Sequence, residues 1–490
     1  MKPFYITTAI VYVNAKPHIG FALELVYADM LARYMRMSGK PVKFITGTDE
    51  HGQKIAKKAM EAKKEPKAFV DEVSGDVKEL VSLLEISADD FIRTTDERHR
   101  NGVAKFWETV MKNGWIYKKP YKGLYCVGCE SFKLEKDLVD GKCPDHQTAP
   151  DTLEDENYFF KLTAFEDKLK SLFAERPDFV VSDERFNEMK HIVNDGLEDI
   201  SISRSKKLLS WGVSVPGDEE QVVYVWFDAL VNYLTGVGYG SGKGIPPEWP
   251  ADVHIVGKEI NRFHSILWPA MLMAAEIEVP KQIAVHGWMT VDGKKMSKTV
   301  GNVLDPFELV KDYGVEPLRY FLAREIPFHG DGDFSQARFK ERYENDLANE
   351  LGNLLHRAVS MTERYLDGEI PDIATFDLET VWPDYRKAME ELRFHDALSA
   401  TWSLVRRLNK FVDDKEPWKL GKLEDKKPLS DVLYVLLEGL RHIAWMLLPI
   451  MPNTSVIIFE RIGTSFEAQA SKPLFEAMRW GELKPGALVK

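Results

Sequence analysis

Short apolar runs alternate with helical repeats along the first part of the chain. Phe4-Tyr5-Ile6-Thr7-Thr8-Ala9-Ile10 is β-branched and aromatic, the pattern of a buried strand. Beyond it Leu23, Val26, Met30, Tyr34 and Met37 recur at helical spacing and predict an amphipathic helix. Val42-Lys43-Phe44-Ile45 predicts a second strand, and strand and helix patterns keep alternating to about residue 115. Further strands are expected at Val222-Val223-Tyr224-Val225, His254-Ile255-Val256 and Gln282-Ile283-Ala284-Val285. Such alternation predicts an α/β domain with a parallel sheet. From about 341 the strand pattern stops. Leu347, Leu351, Leu354 and Ala358 repeat at helical spacing, as do Leu433, Leu436, Leu440 and Ile443, which predicts an antiparallel helix bundle. A chain of 490 residues is too long for one core and implies two to four domains.

Two polar stretches bracket the α/β pattern. Lys16-Pro17-His18-Ile19-Gly20-Phe21 falls where the first strand turns into a helix. A helix N-terminus offers unpaired N–H groups and a positive dipole end, which suit phosphate. Gly20 lets a ligand approach the backbone, and His18 can donate to a phosphoryl oxygen. Read alone, the stretch is better taken as a capping histidine beside a turn glycine. Far downstream, Asp292-Gly293-Lys294-Lys295-Met296-Ser297-Lys298-Thr299 places three lysines in five residues. A loop of this kind can follow a polyphosphate whose charge changes during reaction. Its bland alternative is a solvated lysine run. Finding both in this order makes the bland pair improbable.

The cysteines are three: Cys126, Cys129 and Cys143. They form C-x2-C, thirteen residues, then Cys143-Pro144-Asp145-His146, a second x2 pair ending on histidine. This spacing predicts a four-ligand tetrahedral zinc site of Cys126, Cys129, Cys143 and His146, closed and therefore structural. Disulfides are not expected from an odd number in a large chain without a leader.

Composition adds little. A hydrophobic content of 44% and a charged content of 29% are ordinary for a soluble protein. The longest late apolar run, Ile443 to Leu448, is too short to span a bilayer. A cytoplasmic location is the default expectation. The net charge of −12 argues against indiscriminate nucleic-acid binding. Residues 341–490 hold 20 Lys/Arg against 25 Asp/Glu, a net of −5, so their overall charge offers RNA no support either. Locally, Asn353 and Arg357 share a helix face, and Trp418 follows Pro417 at a helix start. An amide, a guanidinium and an indole can read splayed bases.

His18-Ile19-Gly20-Phe21 resembles the HIGH signature of class I aminoacyl-tRNA synthetases, and Lys295 to Thr299 resembles their KMSKS signature. Gly47-Thr48-Asp49-Glu50-His51-Gly52, Val225-Trp226-Phe227-Asp228-Ala229 and Arg262-Phe263-His264-Ser265 resemble the methionyl-tRNA synthetase family in particular. One departure is Phe21, which stands at the last HIGH position and cannot donate a hydrogen bond.

The resemblance implies a Rossmann-like parallel-sheet catalytic domain, split by a zinc-knuckle insertion and followed by a C-terminal α-helical bundle. The expected boundaries are 1–115 and 222–290 for the catalytic halves and 116–221 for the insertion. Residues 291–340 would form the lysine-loop and stem-contact region, and 341–490 an anticodon-binding bundle. The insertion is too small for the separate editing domain of valine, isoleucine and leucine enzymes.

It further implies activation of L-methionine by ATP and transfer to tRNA(Met), initiator and elongator, in a monomer that binds no membrane. His18, Gly20, Lys295 and Lys298 are the implied catalytic residues. Ile10, Tyr12, Asp49, Trp226, Ala229, Leu230, Tyr233, Ile260 and His264 would hold methionine. Asp49 would take the α-ammonium, for which the alternative is a helix N-cap. His264 or the Tyr12 hydroxyl would tell sulfur from methylene. ATP would meet His18, Gly20, Gly257, Glu259, Lys295, Met296, Ser297 and Lys298, with Mg²⁺ accompanying it and one structural Zn²⁺ per chain. His51 would lie near the nucleotide. Asn353, Arg357 and Trp418 would contact the CAU anticodon. Two rivals stay open: a tRNA-independent nucleotidyltransferase, and a binding protein built on a degenerate synthetase core.

Overall fold

The computed structural model describes residues 2–126, 131–133, 135, 138–144, 147–242, 244–296, 303–371, 374–376 and 381–464. The chain divides into two compact units.

The first unit comprises Met1–Pro17, Lys43–Ser82 and Ala88–His286. Its main sheet runs in the order Val11–Tyr12, Val42–Asp49, Phe4–Thr8, Val253–Gly257, Gln282–His286, Val180–Val181, and Asp90–Arg93 also pairs with Val42–Asp49. Phe4–Thr8 pairs in parallel with Val253–Gly257, and that strand with Gln282–His286. Phe44, Ile45, Ile255, Val256, Ile283 and Val285 are all buried. Near-continuous apolar strands are what a sheet covered on both faces requires. Gly47 permits the pairing beside it, since a Cβ there would lie 2.0 Å from the Ile92 carbonyl oxygen. The strand order reverses at Phe4–Thr8. Ligands of open parallel sheets sit beyond the carboxyl ends of the strands at such a reversal. Ile10, Tyr12, Asp49, Gly257 and Glu259 all follow or end these strands.

The long pair Ile116–Cys126 and Asp151–Phe160 is antiparallel and carries Ser131–Lys133 and Ile200–Ser201 on its flanks. One expectation changes here. Val222 and Val223 do not join the parallel sheet. They end the strand Asp218–Val223, which pairs antiparallel with Ser203–Ser205 and Ser214–Val215. A β-branched run shows that a strand forms, but not which partner it takes. The unit's core gathers Phe106, Trp107, Phe227, Tyr233, Trp249 and Trp268.

The second unit comprises His18–Val42, Leu83–Ser87 and Gly287–Lys490. A three-stranded sheet of Lys294–Lys295, Met289–Val291 and Gly332–Phe334 is followed by helices, among them Asn353–Leu366, Phe394–Lys415 and Lys427–Leu447. The repeat at Leu433, Leu436, Leu440 and Ile443 marks buried positions, as predicted. The helix Ile19–Met37 differs from its expectation. It is buried nearly all round, with Glu24 and Asp29 also inside. The Asp29 carboxylate meets Arg319 at 2.6 Å and Arg33 at 2.7 Å, and accepts from the Ser87 backbone N–H at 2.7 Å. Arg319 also donates to the carbonyls of Leu84, Pro449 and Ile450. Among the described residues no helix is long and apolar enough to cross a membrane.

Candidate active site

In the first unit, the proposed side-chain pocket is built on the segment after Asp218–Val223. The short helices Val225–Ala229 and Asn232–Thr235 carry Trp226, Ala229 and Tyr233, with Leu230 between them. Ala229, Leu230 and Tyr233 are buried, while Ile10, Tyr12, Trp226 and Ile260 are half-buried against the core. The Trp226 ring stacks on Phe263 with centroids 3.9 Å apart and stands edge-on to His264. Tyr233 stacks on His254 at 4.1 Å.

His264 lies between two fixed partners. Its Nδ1 is 3.0 Å from the Ile260 carbonyl and its Nε2 is 2.7 Å from the Tyr233 hydroxyl. A carbonyl only accepts, so Nδ1 carries the proton and Nε2 accepts from tyrosine. Burial pushes the ring's pKa down to about 4, so it is neutral at pH 7. Of the two expected donors to sulfur, His264 or the Tyr12 hydroxyl, His264 is thus engaged elsewhere. Its single N–H is spent on Ile260.

Asp49 ends the strand Val42–Asp49 and is buried. The N-cap alternative is set aside, because the helix Gln53–Glu61 is capped by Gly52. The next residues are tied down on every side. The Glu50 carboxylate accepts from Arg93 at 2.6 and 3.0 Å, from Thr48 at 2.7 Å, from Ser74 at 2.5 Å and from Thr95. Burial would raise its pKa, but these donors hold it below the ordinary carboxylate value. The Trp211 indole donates to the Glu50 carbonyl at 2.6 Å. His51 Nδ1 lies 2.7 Å from Asp228, whose other oxygen lies 3.0 Å from His99 Nε2. Asp228 is fully buried, yet the two histidines overcome the burial and bring its pKa down to about 2. No role for Asp228, His99, Glu50 or Arg93 was read from the sequence. Asp228 and Glu50 sat inside the matching stretches, whereas His99 and Arg93 carried no local signal.

Gly257 ends the strand Val253–Gly257, and Glu259 follows in the next turn. A Cβ at Gly257 would meet the Glu259 carboxylate oxygens at 2.7 and 2.8 Å, so glycine lets that carboxylate fold back over the strand end. Glu259 is exposed.

In the second unit, His18 is the N-cap of the helix Ile19–Met37 and accepts from the Gly20 N–H through Nδ1 at 3.0 Å. A Cβ on Gly20 would lie 2.9 Å from the His18 ring and 3.5 Å from Met296 Cε. The two signature segments thus meet at Gly20 and Met296. Phe21 is buried, so it plays the part of a core residue at that position. Lys294–Lys295 pairs with Met289–Val291 across a turn at Asp292 and Gly293, both at positive φ. The Gly293 N–H donates to Asp333 at 2.7 Å. Ser297, Lys298 and the side chain of Lys295 lie outside the described residues.

Of the proposed zinc ligands, Cys126 ends the strand Ile116–Cys126 and Cys143 lies in a turn, and both are buried. The Gln147 N–H donates to the Cys143 carbonyl at 2.8 Å. Cys129 and His146 lie outside the described residues. Two buried thiols suit a soft cation by their chemistry. In the helical region, Asn353 and Trp418 are exposed and Arg357 is half-buried. Arg357 pairs with Asp413 at 3.0 Å, and its guanidinium lies 5.8 Å from the Trp418 ring. Arg357 and Trp418 are thus brought together from separate helices, with the indole outside the core.

Residues 4–152 and 145–359 match the family model of class I tRNA synthetases (M). The chain is 45% identical to the methionine–tRNA ligase of Thermotoga maritima, over 99% of its length and 78% of that protein's. It is 46% identical to the enzyme of Caldanaerobacter subterraneus subsp. tengcongensis, over 100% and 78% respectively. Among solved structures, Mycobacterium tuberculosis methionyl-tRNA synthetase in complex with methionyl-adenylate superposes with a TM-score of 0.93 at 39% identity, covering 100% of this chain and 98% of that one. The apo form of that protein gives 0.87 at 36% identity, covering 100% and 97%. With matching signature stretches, a parallel-sheet core and likeness along the whole chain, this chain belongs to the methionyl-tRNA synthetase family of class I.

Proposed function

We propose that this chain joins L-methionine to the 3′-terminal ribose of tRNA(Met), initiator and elongator, through methionyl-adenylate. The observation that carries this reading is its identity of 44–46% to methionine–tRNA ligases along nearly its whole length. The test is direct: the protein, ATP, methionine and tRNA(Met) should yield a methionyl ester on the tRNA, and its absence would contradict the reading.

The first step is attack of the methionine carboxylate on the α-phosphorus of ATP, with pyrophosphate leaving. Positioning and charge stabilisation suffice, and no protein nucleophile is needed. Asp49 takes the α-ammonium, a charge-assisted contact worth roughly 1.5–3 kcal/mol. Ile10, Trp226, Ala229, Leu230, Tyr233, Ile260 and His264 surround the side chain. Aromatic contacts to a thioether contribute about 0.3–1.5 kcal/mol each. With His264 committed to Ile260, the Tyr12 hydroxyl is the assigned donor to sulfur. Glu259 takes the ribose hydroxyls, beside Gly257. His18, Gly20, Lys295, Met296, Ser297 and Lys298 are assigned to the phosphates. Mg²⁺, when bound with ATP, supplies additional positive charge on the pyrophosphate oxygens.

Residues 1–115 and 222–290 serve as the catalytic halves, 291–340 as the lysine-loop and stem-contact region, and 341–490 as the anticodon reader. The 116–221 insertion is assigned a single zinc knuckle held by Cys126, Cys129, Cys143 and His146. Zinc of this kind contributes about 10–16 kcal/mol to a small fold. Chelation is therefore expected to disorder the knuckle around Cys126 and Cys143, leaving the rest of 116–221 folded, while methionine affinity stays within a few-fold. Loss of the whole fold on chelation would contradict a peripheral site. Trp418→Ala should raise the KM for tRNA by about 5- to 150-fold, the range for one lost base stack of roughly 1–3 kcal/mol. Pyrophosphate exchange should be unchanged, and an unchanged KM for tRNA would remove Trp418 from the anticodon contact. We assign the protein to the cytoplasm as a monomer.

A further inference from the structure

We propose that Asp228 is a positioning residue that fixes the spacing between the ammonium end and the thioether end of the amino-acid site; this rests on the assignments of Asp49 and Trp226 above. Asp228 lies on the helix Val225–Ala229, which also carries Trp226 and Ala229. Its Oδ2 meets His51 Nδ1 at 2.7 Å, two residues after Asp49, and its Oδ1 meets His99 Nε2 at 3.0 Å on the helix Glu97–Lys112. One carboxylate, fully buried, therefore joins three segments that are far apart in the chain.

The proton positions follow. An ionised carboxylate only accepts, so His51 Nδ1 and His99 Nε2 both carry protons. His99 Nδ1 lies 2.8 Å from the Thr235 hydroxyl, on the helix Asn232–Thr235 that carries Tyr233. His51 is braced again by Trp211, whose ring stands edge-on to it at 5.5 Å and whose N–H holds the Glu50 carbonyl. Asp49 thus leaves its strand into a loop anchored on the helix that carries Trp226. Asn at 228 has the same shape but offers one oxygen and one amide. The amide N–H₂ would face one of the two ring N–H groups, and that anchor would open.

The experiment compares wild type, Asp228→Asn, His51→Gln, the double variant, and Val110→Ala as a core control in the helix Glu97–Lys112. It reads pyrophosphate exchange with methionine and with ethionine, alongside Tm. A misplacement of about 1 Å can cost roughly 10²-fold. Asp228→Asn should raise the KM for methionine by about 10- to 100-fold on that scale, with kcat falling by much less. Its preference for methionine over the longer ethionine should shrink. The double variant should be little worse than Asp228→Asn, because both substitutions break the same link. Val110→Ala should lower Tm with KM and preference unchanged. An unchanged KM and preference in Asp228→Asn, or additive losses in the double variant, would overturn the proposal. If Asp228→Asn does not fold, His51→Gln with an unchanged KM overturns it. Absence of methionine-dependent exchange in wild type would instead overturn the functional reading.

Discussion

His18→Ala is expected to slow methionyl-adenylate formation by about 10²–10³-fold at saturating substrates, the usual cost of one lost donor to transition-state charge. Methionine affinity should change little. The ring's contact with the backbone decides which nitrogen carries the proton. Nδ1 accepts from the Gly20 N–H, so in the neutral ring the proton sits on Nε2, the nitrogen able to donate to a phosphoryl oxygen. The same side chain caps the helix Ile19–Met37, so alanine also removes about 1 kcal/mol of stability. His18→Asn separates these effects. Asparagine is a good N-cap, so Tm should hold while the rate stays low. A rate restored by asparagine would show that His18 acts only as a cap.

Arg319→Ala is expected to destabilise the second unit by about 3–5 kcal/mol, the usual penalty for leaving a buried charge without its partner. Arg319 and Asp29 are both fully buried, and the guanidinium also satisfies three carbonyls. Lysine cannot reproduce that fork, so Arg319→Lys should recover little. The acid response carries a sign. Burial pushes the Asp29 pKa up, but Arg319, Arg33 and the Ser87 donors outweigh it and leave it below the ordinary value. A carboxylate with a lowered folded pKa stabilises fully above its unfolded pKa, and that contribution is lost as pH falls through the folded one. The gap between wild type and Arg319→Ala, measured by chemical denaturation, should therefore narrow as pH falls below about 4. A gap independent of pH would assign the loss to the carbonyl contacts instead.

Local pattern carried the sequence reading a long way. The strand–turn–helix around His18, the parallel strands ending at Asp49 and Gly257, and the helical repeats beyond 341 follow from periodicity and turn residues. Four things did not. Val222 and Val223 form a strand as expected, but pair with Ser203–Ser205 and Ser214–Val215 rather than with the central sheet. Asp29 sits in a helix whose repeat suggested one wet face, where a charge looks solvated until Arg319 is known to lie beside it. Asp228 and His99 are 129 residues apart, and nothing local to either announces the other. His264 was one of two expected donors to sulfur, beside the Tyr12 hydroxyl, while its proton had already been claimed by the carbonyl one turn earlier. Long-range pairing and proton location are properties of the folded chain, not of spacing.

The central claim is that this fold activates methionine. The most direct measurement is exchange of labelled pyrophosphate into ATP, run separately with each of the common amino acids. Exchange with methionine alone is the predicted result, and it would bear on the adenylation chemistry and the side-chain pocket together. Exchange with a different amino acid would contradict the pocket built on Trp226, Tyr233 and His264. No exchange with any amino acid would contradict the catalytic reading itself, and would turn attention to Phe21 at the end of the first signature.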